Sequence, residues 1–118
     1  MASKVLKEST RLAGLAVSKN PHHSLTVLYE KLLKTLDKMP ENAVYRQQTK
    51  QLVEDRFKLV KSIQDPQELE KKINCGQIEE VIKQAEYELI LSRKMLEWKP
   101  WEPLISQAPK DQWKWPMA

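Results

Sequence analysis

A single cysteine, two glycines and the absence of any long apolar run exclude a good deal before any motif is sought. With Cys75 alone, neither an intramolecular disulfide nor a cysteine-rich zinc site can form, and cytosol, nucleus and mitochondrial matrix are all acceptable compartments. So few glycines suit a helical protein better than a sandwich or barrel. No apolar stretch approaches the roughly 20 residues needed to span a bilayer, so any membrane association would go through a partner or a surface contact. Phosphate-binding glycine loops, dinucleotide fingerprints, nucleophile motifs and clustered acid pairs are also missing, so no catalytic residue and no cofactor are expected. His22 and His23 are adjacent, which on a helix turns them about 100 degrees apart, and no third ligand stands nearby. They read as first-turn surface histidines, with no metal expected.

What remains is a chain of 118 residues, enough for one domain, with 31% charged and 41% hydrophobic side chains. The net charge of +4 is unevenly spread, since the first 64 residues carry twice as many basic as acidic groups and residues 65 to 96 are acidic on balance. Lysines nevertheless alternate with glutamates, and no block of five like charges occurs, which favours protein partners over nucleic acid or a membrane surface. The alternative is a small basic helical module that binds nucleic acid through its first half. Against it, the tryptophans that would stack on bases lie in the tail, away from the basic residues.

Residues 1–19 form a basic arm in which Lys4, Lys7, Arg11 and Lys19 alternate with Val5, Leu6, Leu12, Leu15 and Val17. That pattern is open to two readings, a weak organelle-import segment or a frayed basic tail. Asn20-Pro21 then predicts a helix start, and Leu25, Leu28, Tyr29, Leu32, Leu36 and Met39 share one face until Pro40. Asn42 is a candidate cap for a second helix to about Gln64, with a stripe of Tyr45, Thr49, Leu52, Val53, Phe57, Leu59, Val60 and Ile63. Arg56 falls within that stripe, and its stem is expected along the core with the guanidinium at the edge. Asp65-Pro66-Gln67-Glu68 predicts a short connecting helix that stops at Gly76.

From Gln77 a third long helix places Ile78, Val81, Ile82, Ala85, Leu89 and Leu96 on one face, with Glu79 and Lys83 spaced for an outward ion pair. Tyr87, Leu91, Met95 and Trp98 form a second apolar row about 160 to 180 degrees away. One bundle cannot bury both faces, so the second row must meet something else. Residues 97–118 hold Trp98, Trp101, Trp113 and Trp115 among Pro100, Pro103, Pro109 and Pro116 and cannot continue a regular helix. Tryptophans so placed belong on protein. The expected organisation is all-α: an arm over 1–19, a three-helix bundle with a short connecting helix over 20–96, and an extended tail over 97–118. The candidate partner interface is Tyr87, Leu91, Met95, Trp98, Trp101, Trp113 and Trp115.

The stretch Gly76-Gln77-Ile78-Glu79-Glu80-Val81-Ile82, continuing through Gln84-Ala85-Glu86, Glu88-Leu89 and Arg93-Lys94-Met95, resembles the family of NADH dehydrogenase (ubiquinone) 1 alpha subcomplex subunit 5. Glu97-Trp98-Lys99, Trp101-Glu102-Pro103-Leu104 and Asp111-Gln112-Trp113-Lys114-Trp115-Pro116 extend the resemblance, as do Gly14-Leu15-Ala16-Val17 and Leu28-Tyr29. The sequence departs from the family pattern at Cys75 and Pro100, both at bends. The resemblance implies a non-catalytic accessory subunit of mitochondrial respiratory complex I, without flavin, iron-sulfur cluster or quinone site. It further implies a peripheral place on the matrix side of the inner membrane, on the hydrophilic arm. Quinone-module core subunits and a nucleoside-kinase-like accessory subunit would be its neighbours, its work assembly and stabilisation of that arm.

Overall fold

A computed structural model describes residues 8–116, and the regular structure among them is four helices: α1 (Pro21–Asp37), α2 (Val44–Ser62), α3 (Pro66–Ile73) and α4 (Ile78–Trp98). The all-α expectation holds. Lys4, Val5, Leu6 and Lys7 of the basic arm lie outside the described residues.

Helix α1 begins where Asn20-Pro21 predicts, since the Asn20 side chain accepts from the His23 amide at 3.3 Å and proline loses no bond in the first turn. Its apolar face goes inward: Leu25, Tyr29, Leu32 and Leu36 are all buried. Leu25, Tyr29 and Leu32 meet Val53, Phe57 and Val60 of α2 on one side and Ile78, Val81, Ile82, Ala85 and Leu89 of α4 on the other. Helix α1 is therefore the central element. The connecting helix contributes as well, because Leu69 is completely buried in the same cluster.

Several local expectations give way to tertiary contacts. Asn42 does not cap α2: the Ala43 amide closes a turn onto the Pro40 carbonyl at 3.1 Å, and Ala43 itself takes the cap position without a side-chain bond. The corner is held from the other side, by Arg46 Nη1 on the Met39 carbonyl at 3.0 Å and Gln47 Nε2 on the Glu41 carbonyl at 2.9 Å. Helix α3 stops at Asn74 and not at Gly76, because Asn74 takes the left-handed conformation (φ 56°) that asparagine tolerates. Gly76 adopts positive φ (92°) in the turn that follows.

The outward Glu79–Lys83 pair does not form. Neighbouring segments converge on the first turn of α4, where Gln77 Nε2 donates to the Thr10 carbonyl at 2.8 Å and the Ile78 amide to Glu70 Oε1 at 2.7 Å. Glu79 is buried among them, a position the helix dipole favours for an acid. Lys83 pairs with Glu86 instead, at 3.3 Å. The Thr10 contact also fixes the end of the arm, since Thr10 is buried and its hydroxyl donates to the Leu15 carbonyl at 2.5 Å.

His22 is more than a surface histidine. Its Nε2 lies 2.6 Å from the Ile63 carbonyl at the end of α2 and ties the two helices together.

Candidate docking surface

The two faces of α4 have opposite fates. Ile78, Val81, Ile82, Ala85 and Leu89 turn toward α1 and are buried, whereas Tyr87 and Trp98 on the far side are 66% and 64% exposed. At 3.6 residues per turn, Tyr87, Leu91 and Trp98 fall within about 40 degrees of one another. They form one outward strip along the helix. Leu91 is half-buried, and so is Met95 at the strip's edge.

Sequence reasoning missed Ile90, which is 56% exposed and widens the strip on the side away from Met95. Its spacing, three residues beyond Tyr87 and one before Leu91, was the available signal. Leu52 and Val44 on α2 are exposed as well, although the periodicity put Leu52 on the buried stripe.

Two side-chain bridges join α2 to α4 beside this strip. The Tyr45 hydroxyl donates to the Glu88 carboxylate. Burial above all, and then the hydrogen bond to Glu88 and its charge, raise the Tyr45 pKa well beyond that of an ordinary phenol, so it stays a donor. The second bridge is Arg56, whose Nη1 donates to Gln84 Oε1 at 3.3 Å and whose Nη2 donates to Cys75 Sγ at 3.2 Å. Its guanidinium sits at the edge of the core as expected, held by an amide and a sulfur.

At its C-terminal end α4 stops on Lys99, which is left-handed (φ 52°) and returns its amide to the Met95 carbonyl at 2.9 Å. The chain then turns so that Trp101 and Pro100, together with Met95, line an open cleft with Asn42, Ala43, Val44 and Tyr45. Trp101 and Met95 are thus brought together. Trp113 and Trp115 are not: they stand 87% and 85% exposed in the extended tail. The radius of gyration, 19.1 Å, exceeds the roughly 13 Å of a compact chain of this length.

Charge along the strip is balanced. Lys83–Glu86 and Lys94–Glu97 pair within α4, at 3.3 and 3.7 Å, so the lysines that fall within the strip by helical position are neutralised by neighbouring glutamates. Such exposed pairs contribute little to stability. A tryptophan that covers about 200 Å² of apolar surface gains roughly 5 kcal/mol before ordering costs, so the aromatics outweigh them as a source of binding energy. Among the described residues no group of three or more His, Cys, Asp or Glu is placed to hold a metal ion, and no helix is long and apolar enough to cross a membrane.

Residues 14–80 match the model of the family described as the ETC complex I subunit conserved region. The chain is similar to NADH dehydrogenase (ubiquinone) 1 alpha subcomplex subunit 5 of Bos taurus, with 50% identity over 113 residues, covering 96% of this chain and 97% of that protein. The Rattus norvegicus protein of the same name is likewise 50% identical over 113 residues, with coverage of 96% and 97%. A probable subunit 5 from Caenorhabditis elegans is 48% identical over 111 residues, which is 94% of this chain and 74% of that one.

Proposed function

The chain belongs to the family of NADH dehydrogenase (ubiquinone) 1 alpha subcomplex subunit 5, and from that membership we propose that it docks on the matrix-facing hydrophilic arm of complex I and stabilises that arm. It is a mitochondrial respiratory-chain subunit and not itself an enzyme. The observation that carries the docking role is the outward strip of α4, where Tyr87, Ile90 and Trp98 stay more than half exposed although the opposite face is fully packed. Neighbouring subunits cover this strip, and the tail extends the contact through Trp113 and Trp115.

The partners in this reading are core subunits of the quinone module, with a nucleoside-kinase-like accessory subunit beside them. The subunit is peripheral to the inner membrane, on its matrix side. Its contribution is buried apolar area at a seam between larger subunits, and hot-spot aromatics supply most of the affinity.

The test compares a tagged full-length chain with one ended after Trp101, which keeps the Lys99 helix stop and the Met95–Trp101 cleft. Gently solubilised mitochondria are run on native gels, with NADH dehydrogenase activity staining and immunodetection in the same lanes. The full chain comigrates with the whole complex, and the shortened chain is incorporated at a fraction of that level. Normal incorporation of the shortened chain would remove the tail from the interface, and a full-length chain that runs free would overturn the whole reading.

A further inference from the structure

Where α1, α2 and the turn between α3 and α4 meet, three groups converge that the docking strip does not use. Arg56 Nη2 donates to Cys75 Sγ at 3.2 Å. Cys75 is half-buried and directs its own S–H to the Ile73 carbonyl, 3.5 Å away. Near them the Tyr29 hydroxyl is buried in a residue only 2% exposed; it makes no well-formed hydrogen bond, and Arg56, by charge and by hydrogen bonding, and Cys75, by charge, both act on it.

Burial, with Arg56 in opposition, raises the Tyr29 pKa, so the hydroxyl keeps its proton available. Donors therefore outnumber good acceptors in this corner, because a thiol sulfur accepts weakly while a guanidinium offers five N–H groups. A single oxygen bound to Sγ would take hydrogen bonds from both Arg56 and Tyr29.

We infer that Cys75 is a site of reversible oxidation by hydroperoxides, at which Arg56 and Tyr29 hold the oxygen added to the sulfur. In the forward step the sulfur attacks one oxygen of hydrogen peroxide; the O–O bond breaks and an S–O bond forms. The sulfur loses two electrons, and the second oxygen leaves as water, with its hydrogens balanced by the thiol proton. Cys75 is left as a sulfenic acid. Arg56 stabilises the negative charge that develops on the departing oxygen until the thiol proton reaches it, and then donates to the oxygen left on the sulfur. A small-molecule thiol reverses the step: a first thiol displaces the oxygen as water to give a mixed disulfide, and a second frees Cys75.

The test exposes the reduced, folded full-length chain to dilute hydrogen peroxide in the presence of dimedone, which traps sulfenic acids, and follows the Cys75 peptide by mass spectrometry. Wild type, Arg56→Gln, Tyr29→Phe and wild type unfolded in urea are compared. The folded wild type is expected to form the adduct about tenfold faster than the unfolded chain, with most of that advantage lost in Arg56→Gln. Tyr29→Phe, which keeps the ring in the core, is expected to slow trapping severalfold. Without dimedone, dithiothreitol should restore the free thiol. Oxidation no faster in the folded than in the unfolded chain would overturn the proposal, as would unchanged rates in both variants while circular dichroism reports an intact fold.

Discussion

Glu70 on α3 closes the first turn of α4, its Oε1 accepting the Ile78 amide proton at 2.7 Å across eight residues of sequence. The Gln77 amide is taken in the same way by Glu80 Oε2 at 3.0 Å, so two carboxylates satisfy donors that a helix start otherwise leaves open. Glu70→Ala should therefore lower stability by about 1 to 2 kcal/mol, the usual cost of losing a cap. Urea unfolding followed by circular dichroism measures it. Glu70→Gln, which keeps an acceptor oxygen, should recover part of the loss.

Gly76 stands beside this capping arrangement. Its φ is +92°, and a Cβ built there would lie 1.9 Å from Glu80 Oε2. Gly76→Ala adds the strain of a left-handed residue and pushes away the carboxylate that caps Gln77. A loss of about 1 to 3 kcal/mol is expected in the same unfolding assay.

Tyr45 gives the fold an alkaline limit. An ordinary tyrosine titrates near pH 10.0, and burial together with Glu88 raises Tyr45 above that value when folded. A raised folded-state pKa means the native state holds its proton longer than the unfolded state, so this contribution is complete below pH 10 and declines as the pH rises toward the folded value. Tyr29 is raised in the same direction, chiefly by burial. Thermal unfolding between pH 8 and 11 should show the decline, and Tyr45→Phe should make it shallower.

On the proposed docking role, the two faces of α4 should separate folding from docking. Leu89 is 6% exposed, and Leu89→Ala should cost about 2 to 4 kcal/mol through the cavity it leaves. Tyr87→Ala should leave the midpoint of the isolated chain within about 0.5 kcal/mol of wild type, since the ring is largely exposed. Incorporation into the complex should fall for Tyr87→Ala at normal protein stability. A matching loss of stability in both variants would mean that the outward strip also serves the fold.

The α1 start was legible because its signal is local: Asn20 and Pro21 act within one turn. The buried face of α4 was legible for a related reason, as the 3.6-residue period needs only one helix to express it. Glu70 was not, because its acceptor role exists only once α3 has folded back on α4. The same applies to Glu79, which sequence spacing turned outward and tertiary crowding buried. The end of α3 was misread because Asn74 takes a left-handed conformation without being glycine. The outward strip was visible as a second apolar row, but Ile90 was overlooked and the high exposure of Trp113 and Trp115 follows only from the path of the tail.

That path gives the subunit reach. Residues 102 to 116, drawn out fully, span at most about 50 Å, so Trp113 and Trp115 can engage a surface well away from the one that meets Tyr87 and Trp98. Once the body is seated, the second engagement is intramolecular, and its effective concentration replaces diffusion from bulk. If the subunit docks as proposed, the two contacts then act as one attachment longer-lived than either alone.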